Sequence, residues 1–245
     1  MIDIHCHIMP GVDDGPQATE ESRRMLSEAS KAGVKTIIAT PHYSQELHEN
    51  GQVRQKFDFM SKEAARYGLN LLQGYEIKIH TYPARMPEDF SGLTLGGTEY
   101  ILLELPLDKV PSYTLELLYK VQLQRLIPIL AHPERCSKLV KDKLLFADIA
   151  DMGCLLQVDA ASILGRNGGA AKRFARRIIT SGQAAFVASD AHEPAGYSKW
   201  FVNAYKKVVK WVGSRKADDL FRNNARVLIE KAKPVHETPF DHETS

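Results

Sequence analysis

The sequence predicts an α/β protein in which seven strand–helix units close into a barrel. Three observations point there. Short apolar, β-branched runs alternate with longer segments of helical periodicity along the whole chain. Several of these runs are apolar nearly throughout, the pattern of parallel strands buried on both faces. The first turn, His5-Cys6-His7-Ile8-Met9-Pro10-Gly11, carries no glycine-rich phosphate-binding pattern, which disfavours a nucleotide-binding open sheet.

The strand-like runs fall at residues 2–5, 34–39, 69–76, 100–105, 127–132, 154–159 and 184–189. The first helix is expected over 19–32, with Thr19 as N-cap, Glu20 and Glu21 in the first turn and Gly33 as the stop. The second covers 52–67 and stops at Gly68. Others cover 112–125, 138–152 (stopped by Gly153) and 170–181 (stopped by Gly182), and a last pair covers 198–212 and 216–231. No linker or internal repeat divides the chain. Residues 1–232 therefore read as one barrel domain, and the polar tail 233–245, with two prolines, as disordered.

A length of 245 residues suits one large α/β domain. The net charge of +2 gives no general field for nucleic acid, and no apolar run reaches membrane-spanning length. The N-terminus lacks the basic start and apolar stretch of a signal peptide. Cys6, Cys136 and Cys154 form no C-x-x-C pair and cannot all pair with one another. A cytoplasmic protein is the expectation, with neither a nucleic-acid partner nor membrane insertion.

Six of the seven predicted strands deliver a His, Asp or Glu to their C-terminal ends: His5 and His7, His42, Glu76, Glu104, His132, and Asp190 with His192. Barrel enzymes keep their catalytic groups on that rim. Any one of these residues alone reads as a cap or an ion-pair partner; six strands in coincidence do not. Residues i and i+2 share a strand face, so His5 and His7 can reach one ion while Cys6 points into the core. Asp190 and His192 repeat that spacing on the last strand, which neighbours the first in a barrel. Imidazole and carboxylate without thiolate favour catalytic Mn²⁺, Fe²⁺ or Zn²⁺ over structural zinc, and so many ligands call for two or three ions. In the loop Gly11-Val12-Asp13-Asp14-Gly15-Pro16 either aspartate can fold back to the rim. Arg135, three residues past His132, either clamps a phosphate bidentately or forms a solvent ion pair with an acid such as Glu134.

His5-x-His7, Thr40-Pro41-His42, Glu76, His132 and Ser189-Asp190-Ala191-His192 together resemble the polymerase and histidinol phosphatase (PHP) superfamily. The segments through Gly15-Pro16, Ala131-His132-Pro133-Glu134-Arg135 and Leu220-Phe221-Arg222-Asn223-Asn224 are similar to the bacterial tyrosine phosphatases of capsule and exopolysaccharide operons. The resemblance spans residues 1 to about 231. It implies a distorted, PHP-type (β/α)7 barrel with three metal ions, usually Mn²⁺, with Mg²⁺ a further option. One ion takes His5, His7, Glu76 and Asp190; a second takes Glu76, Glu104 and His132; a third takes Asp14, His42 and His192. The resemblance thus selects Asp14 over Asp13 and gives Arg135 the substrate phosphate. His42 and His192 could also assist catalysis, though as ligands both are occupied. The implied substrate is a phosphotyrosine protein, the tail of a membrane-linked bacterial tyrosine kinase. One departure stands out: the position that commonly carries a second arginine is Tyr197, with Lys199 nearby. Either Lys199 supplies the charge, or the metals and Arg135 hold phosphate alone.

A metal-activated hydroxide is the expected nucleophile, since no cysteine starts a C-x5-R motif. The rival readings are a small-molecule phosphatase acting on histidinol phosphate, an amidohydrolase, a nuclease, and a non-catalytic binding module stabilised by metal. His48, His80 and the tail residues His236 and His242 read as surface, Asp159 as structural, and the clusters Arg173/Arg176/Arg177 and Lys206/Lys207/Lys210 as solvated faces.

Overall fold

The apolar runs become parallel strands in the computed structural model, which describes residues 1–231. The expected tail 233–245, with His236 and His242, lies outside the described residues. Among the described residues the strands number eight rather than seven: β1 (Ile2–Cys6), β2 (Thr36–Ala39), β3 (Asn70–Gln73), β4 (Glu76–Lys78), β5 (Tyr100–Glu104), β6 (Ile127–Ala131), β7 (Leu155–Asp159) and β8 (Ala184–Ala188). The extra one comes from division of the run 69–76. Its first part pairs with β2 and its second with β5. The break falls at Gly74, where an added Cβ would lie 2.9 Å from Leu95 Cδ2 and 3.1 Å from Ile38 Cγ2. Glycine lets the chain bend there against its neighbours. A hydrophobic pattern of period two does not register such a break.

Strands β1–β3 form one parallel sheet, and β4 to β8 follow in sequence order in a second. The sheet edges meet at two isolated bridges, Cys6 with Ala191 and His42 with Glu76. The His7 N–H donates to Ala191 O (3.0 Å), the Asp190 N–H to His5 O (3.0 Å) and the Glu76 N–H to Pro41 O (3.1 Å). The ring of strands is a distorted barrel with two seams. Both seams run through the residues that the sequence placed at the rim.

Helices alternate with the strands: α1 (Thr19–Lys31), α2 (Gln45–Glu49), α3 (Gln52–Arg66), α4 (Thr114–Leu123), α5 (Ser137–Lys141), α6 (Lys143–Asp151), α7 (Ala160–Leu164), α8 (Gly168–Thr180), α9 (Val202–Val212), α10 (Ser214–Asp218) and α11 (Asn224–Glu230). Helix α8 shows why they dock: Ala171, Phe174, Ala175 and Ile178 recur at helical spacing and are all buried. The expected helix 138–152 is two helices, because the Asp142 carboxylate caps a new start by accepting the Leu145 N–H at 3.1 Å. Ala18, not Thr19, is the N-cap of α1; Glu21 reaches back to the backbone N–H of Gln17 and Ala18.

The core has two layers. Ile4, Ile38, Leu102, Ile129, Phe186 and Ala188 pack together inside the ring of strands. A larger layer lies between strands and helices. Each fully buried aliphatic side chain contributes about 1.5–3 kcal/mol, so the floor beneath the rim is well anchored. All three cysteines are free and buried. Among the described residues no helix is long and apolar enough to cross a membrane.

Candidate metal centre

The strand ends bring together nine side chains that were picked from the sequence. Four overlapping groups have ligand atoms within 4.8 Å of one another: His7, Asp14, His42 and His192; His5, His7 and Asp190; His5, Glu76 and His132; His42, Glu76 and Glu104. The groups differ in detail from the expected partition, since His7 also adjoins Asp14 and His192, and His42 adjoins Glu76 and Glu104.

Strand β1 supplies the first pair. Its register slips between Asp3 and Cys6, so Ile4 joins the inner apolar layer while His5 and His7 further along also turn inward. Cys6 faces Ala191 and the outer core. Burial raises its thiol well above the ordinary range.

Glu76, at the start of β4, is the centre of the cluster. Its Oε1 lies 3.0 Å from His132 Nε2 and 3.3 Å from His5 Nε2; its Oε2 lies 3.0 Å from His42 Nδ1 and 3.4 Å from His7 Nε2. Burial works against its charge, but the imidazoles of His5, His132 and His42 hold its carboxyl well below the usual range. Asp190 divides its two oxygens. Oδ1 faces His5 (3.2 Å) and His7 (3.5 Å), and Oδ2 accepts from Arg135 at 2.5 Å. The ion pair of Arg135 with Glu134 does not form: Glu134 is buried, accepts the Asp159 N–H at 2.9 Å, and burial beside Asp159 pushes it up to about 7.

His132 and Asp190 both take left-handed backbone, with φ of 31° and 46°. Non-glycine residues adopt it at a cost of roughly 1–3 kcal/mol, and such strain gathers at functional sites.

A second set of contacts orients the rings. Asp13 Oδ2 accepts from His7 Nδ1 at 2.6 Å and from the His42 N–H at 3.0 Å. Gln157 Oε1 accepts from His5 Nδ1 at 2.8 Å. These bonds leave both Nε2 lone pairs free, and the two Nε2 atoms face each other at 3.1 Å. A shared proton or a metal ion can satisfy that pair. In the protein alone protons take the place: burial opposes them, but Glu76 and Asp190 push the His5 imidazole up to about 9, and Asp13 and Glu76 hold His7 well above the ordinary imidazole range. Glu104 Oε2 is buried with no hydrogen-bond partner, and His42 Nδ1 has the Glu76 carboxylate at 3.0 Å as its polar neighbour. Facing imidazole nitrogens, an orphaned buried carboxylate oxygen and an all-nitrogen-and-oxygen donor set fit a cluster of divalent ions.

The mouth of the site is open at Asp14, which is 67% exposed; its Oδ1 lies 3.2 Å from His192 Nε2 and 3.5 Å from His42 Nε2. A cavity of about 330 Å³ adjoins it, lined by Arg135, Arg166, Asn167, Asp190, His192 and Trp200 among others. Tyr197 does not face this cavity. It is fully buried and donates to Asp3 Oδ2 at 2.8 Å. The Lys199 ammonium rests on the Trp200 ring, 4.7 Å from its centroid. Arg166, paired with Glu193 at 3.2 Å and lying over Trp200, is the second arginine in the cavity wall.

Two residues that sequence reasoning passed over act here, Gln157 and Arg166, and Asp13, which the resemblance set aside for Asp14, acts beside that residue. Gln157 left a signal, a lone amide within an apolar parallel strand and two residues from Asp159. His48 is half-buried, not surface, because its ring meets the Tyr75 hydroxyl at 2.9 Å. Asp159 caps α7 through the Ala161 N–H at 2.7 Å.

Comparison with known proteins gives this arrangement a lineage. The profile of the family described as "Capsular polysaccharide synthesis, CpsB/CapC" matches residues 1–230. The tyrosine-protein phosphatase YwqE of Bacillus subtilis (strain 168) is 37% identical over 199 residues, covering 78% of this chain and 77% of its own. The tyrosine-protein phosphatase CpsB of Streptococcus agalactiae serotype III (strain NEM316) is 30% identical over 242 residues, 94% of this chain and 98% of its own. A solved structure from work on YwqE of Bacillus subtilis and CpsB of Streptococcus pneumoniae, described there as metal-dependent tyrosine phosphatases, superposes with a TM-score of 0.84 at 34% identity, covering 95% of this chain and 96% of that one. The lactonase Lmo2620 of Listeria monocytogenes shares the fold alone, with a TM-score of 0.56 at 12% identity over 95% of each chain. A metal-ready barrel rim, matched along nearly its whole length, places this chain in the CpsB/CapC family of capsular polysaccharide synthesis.

Proposed function

We propose that this chain is a metal-dependent protein-tyrosine phosphatase that removes phosphate from a bacterial tyrosine kinase governing capsular or exopolysaccharide synthesis. The observation that carries the reading is the pair of imidazole Nε2 atoms 3.1 Å apart, set against a buried carboxylate with imidazoles at both its oxygens. His5, His7, Glu76 and Asp190 would hold one ion, Glu76, Glu104 and His132 a second, and Asp14, His42 and His192 a third, with Mn²⁺ as the metal. Bound ions supply an activated water near neutral pH and offset charge on the phosphoryl oxygens.

The chain's own residues do the rest. Asp13 and Gln157 fix the tautomers of His7 and His5, so that Nε2 of each is presented to the cluster. Arg135, held in place by Asp190, turns its remaining N–H donors to the phosphoryl oxygens, and Arg166 adds a second guanidinium from across the cavity. The leaving group is a phenolate, whose conjugate acid has a pKa of about 10, so it departs without a dedicated proton donor. His42 and His192 then serve as ligands first. Burial and the neighbouring His7 lower the His192 pKa, which keeps its imidazole neutral and able to ligate. The reaction belongs in the cytoplasm, at the membrane-linked kinase.

The test is phosphate release from a phosphotyrosine peptide and from histidinol phosphate, side by side, with Mn²⁺ and with chelator. Chelator-sensitive release from the peptide, abolished by His5→Ala, is the expected result. Preference for histidinol phosphate would move the chain to small-molecule chemistry on the same site.

A further inference from the structure

Two cavities flank Arg135. The first, described above, opens onto Asp190 and His192. The second, also about 330 Å³, is lined by Leu107, Val140, Ala171, Glu134, Ser137 and Lys141 among others and shares Arg135 and Asn167 with the first. Asn167 is a fixed partition: its Nδ2 donates to Asp159 Oδ2 at 2.6 Å and to Ser162 Oγ at 2.9 Å. The second cavity contains no residue of the nine-member cluster. Its apolar wall includes Leu107, which is 50% exposed although the Leu107 carbonyl is tied down by the Ser137 N–H at 2.7 Å.

A small phosphomonoester held between Arg135 and the cluster would need only the first cavity. A polypeptide has more to place. Successive residues of an extended strand advance about 3.3 Å, so the side chain one or two positions from a phosphotyrosine lies within reach of the adjoining hollow. We propose that the second cavity is a subsite for an apolar side chain flanking the phosphotyrosine, with Leu107 and Val140 as its specificity-determining wall. This rests on the tyrosine phosphatase reading and narrows its substrates to polypeptides with an aliphatic neighbour beside the modified tyrosine. Polar groups stand in the same lining, so the selection comes from the aliphatic surface of Leu107, Val140 and Ala171, against which a leucine side chain buries more than a serine.

The experiment uses the full chain with Mn²⁺ and three substrates: p-nitrophenyl phosphate and two phosphotyrosine peptides that differ only in Leu or Ser beside the tyrosine. The leucine peptide is expected to show a kcat/KM about tenfold above the serine peptide, mostly through KM. Leu107→Asp, at an exposed position, should erase that preference while p-nitrophenyl phosphate turnover stays within about twofold of the parent. Val140→Ser should weaken the preference in the same direction. Equal rates for the two peptides would overturn the proposal, as would a loss on Leu107→Asp that is the same for all three substrates. Binding of the matching phosphonomethyl-phenylalanine peptides, followed by calorimetry, needs no turnover. If no aryl phosphate is hydrolysed, the tyrosine phosphatase reading fails by itself. The subsite then stands if the leucine phosphonate peptide still binds tighter, and falls if the two bind alike.

Discussion

Asp3 and Glu76 are both carboxylates at 1% exposure or less, and the fold satisfies them in opposite ways. Asp3, outside the β1 wall, accepts from the Ser189 N–H at 2.9 Å, from the Ser189 hydroxyl at 2.5 Å and from the Tyr197 hydroxyl at 2.8 Å. All its donors are neutral, and burial outweighs them to raise its pKa. Glu76, at the barrel mouth, has imidazoles for neighbours and is held well below the usual range. A carboxylate ringed by neutral donors is a fastener. One ringed by ligating nitrogens is a socket for positive charge.

The widest separation of the two should come from Glu76→Gln. It is expected to lower phosphatase kcat/KM by at least about 1,000-fold, since a metal centre supplies several kcal/mol to the transition state. The rise in melting temperature on adding Mn²⁺ should vanish with it. A variant that keeps the Mn²⁺ shift would undo the assignment of Glu76 as a bridging ligand. Asp13→Ala comes next, with metal affinity expected to fall about 10–100-fold, as for other partners that orient a ligand. Unchanged Mn²⁺ titration would reduce Asp13 to a loop fastener. Asp3→Ala should invert the pattern, losing about 2–4 kcal/mol in urea unfolding because it strands three buried donors, while the Mn²⁺ melting shift persists.

pH should pull the two forms of the protein apart. In chelator, His5 has a folded-state pKa of about 9 against an ordinary 6.5. A raised imidazole stabilises fully below 6.5 and loses that contribution as pH rises through about 9. Metal binding needs the same imidazole without its proton, so Mn²⁺ affinity climbs over this range. Melting temperatures from pH 6.5 to 9 should therefore fall in chelator and hold or rise with Mn²⁺. Parallel curves would disprove the shared role of the ring. The smallest effect is Tyr197→Phe, about 1 kcal/mol from one hydrogen bond to Asp3, with no change in Mn²⁺ binding.

The difference between fastener and socket also marks what was legible beforehand. His5/His7 and Asp190/His192 repeat at i and i+2, and His132 follows a strand's end, so the strand pattern put them on one rim; Glu76 closes the run 69–76 in the sequence but opens β4 in the fold. Asp13, six residues from His7, lay within the loop the sequence offered, whereas Gln157 and Arg166 act through partners far along the chain: Gln157 meets His5 across 152 positions. No local pattern encodes such a meeting. Tyr197 shows the same limit in reverse. Its place in the sequence suggested the phosphate side, but its hydroxyl reaches Asp3 across 194 positions. The barrel was readable from alternating elements, whereas the split at Gly74 and the second helix start at Asp142 depend on single contacts.

Asp190 gives one oxygen to the imidazoles and the other to Arg135, which makes it a point of thermodynamic linkage. A cation that draws charge onto Oδ1 weakens the hold of Oδ2 on the guanidinium and leaves Arg135 freer for an anion. Linkage is reciprocal, so an anion on Arg135 must tighten the cation by the same factor. Phosphate titrated with and without Mn²⁺ reads that factor directly. A filled cluster and an anion on Arg135 would then each bind more tightly in the presence of the other, whichever arrives first.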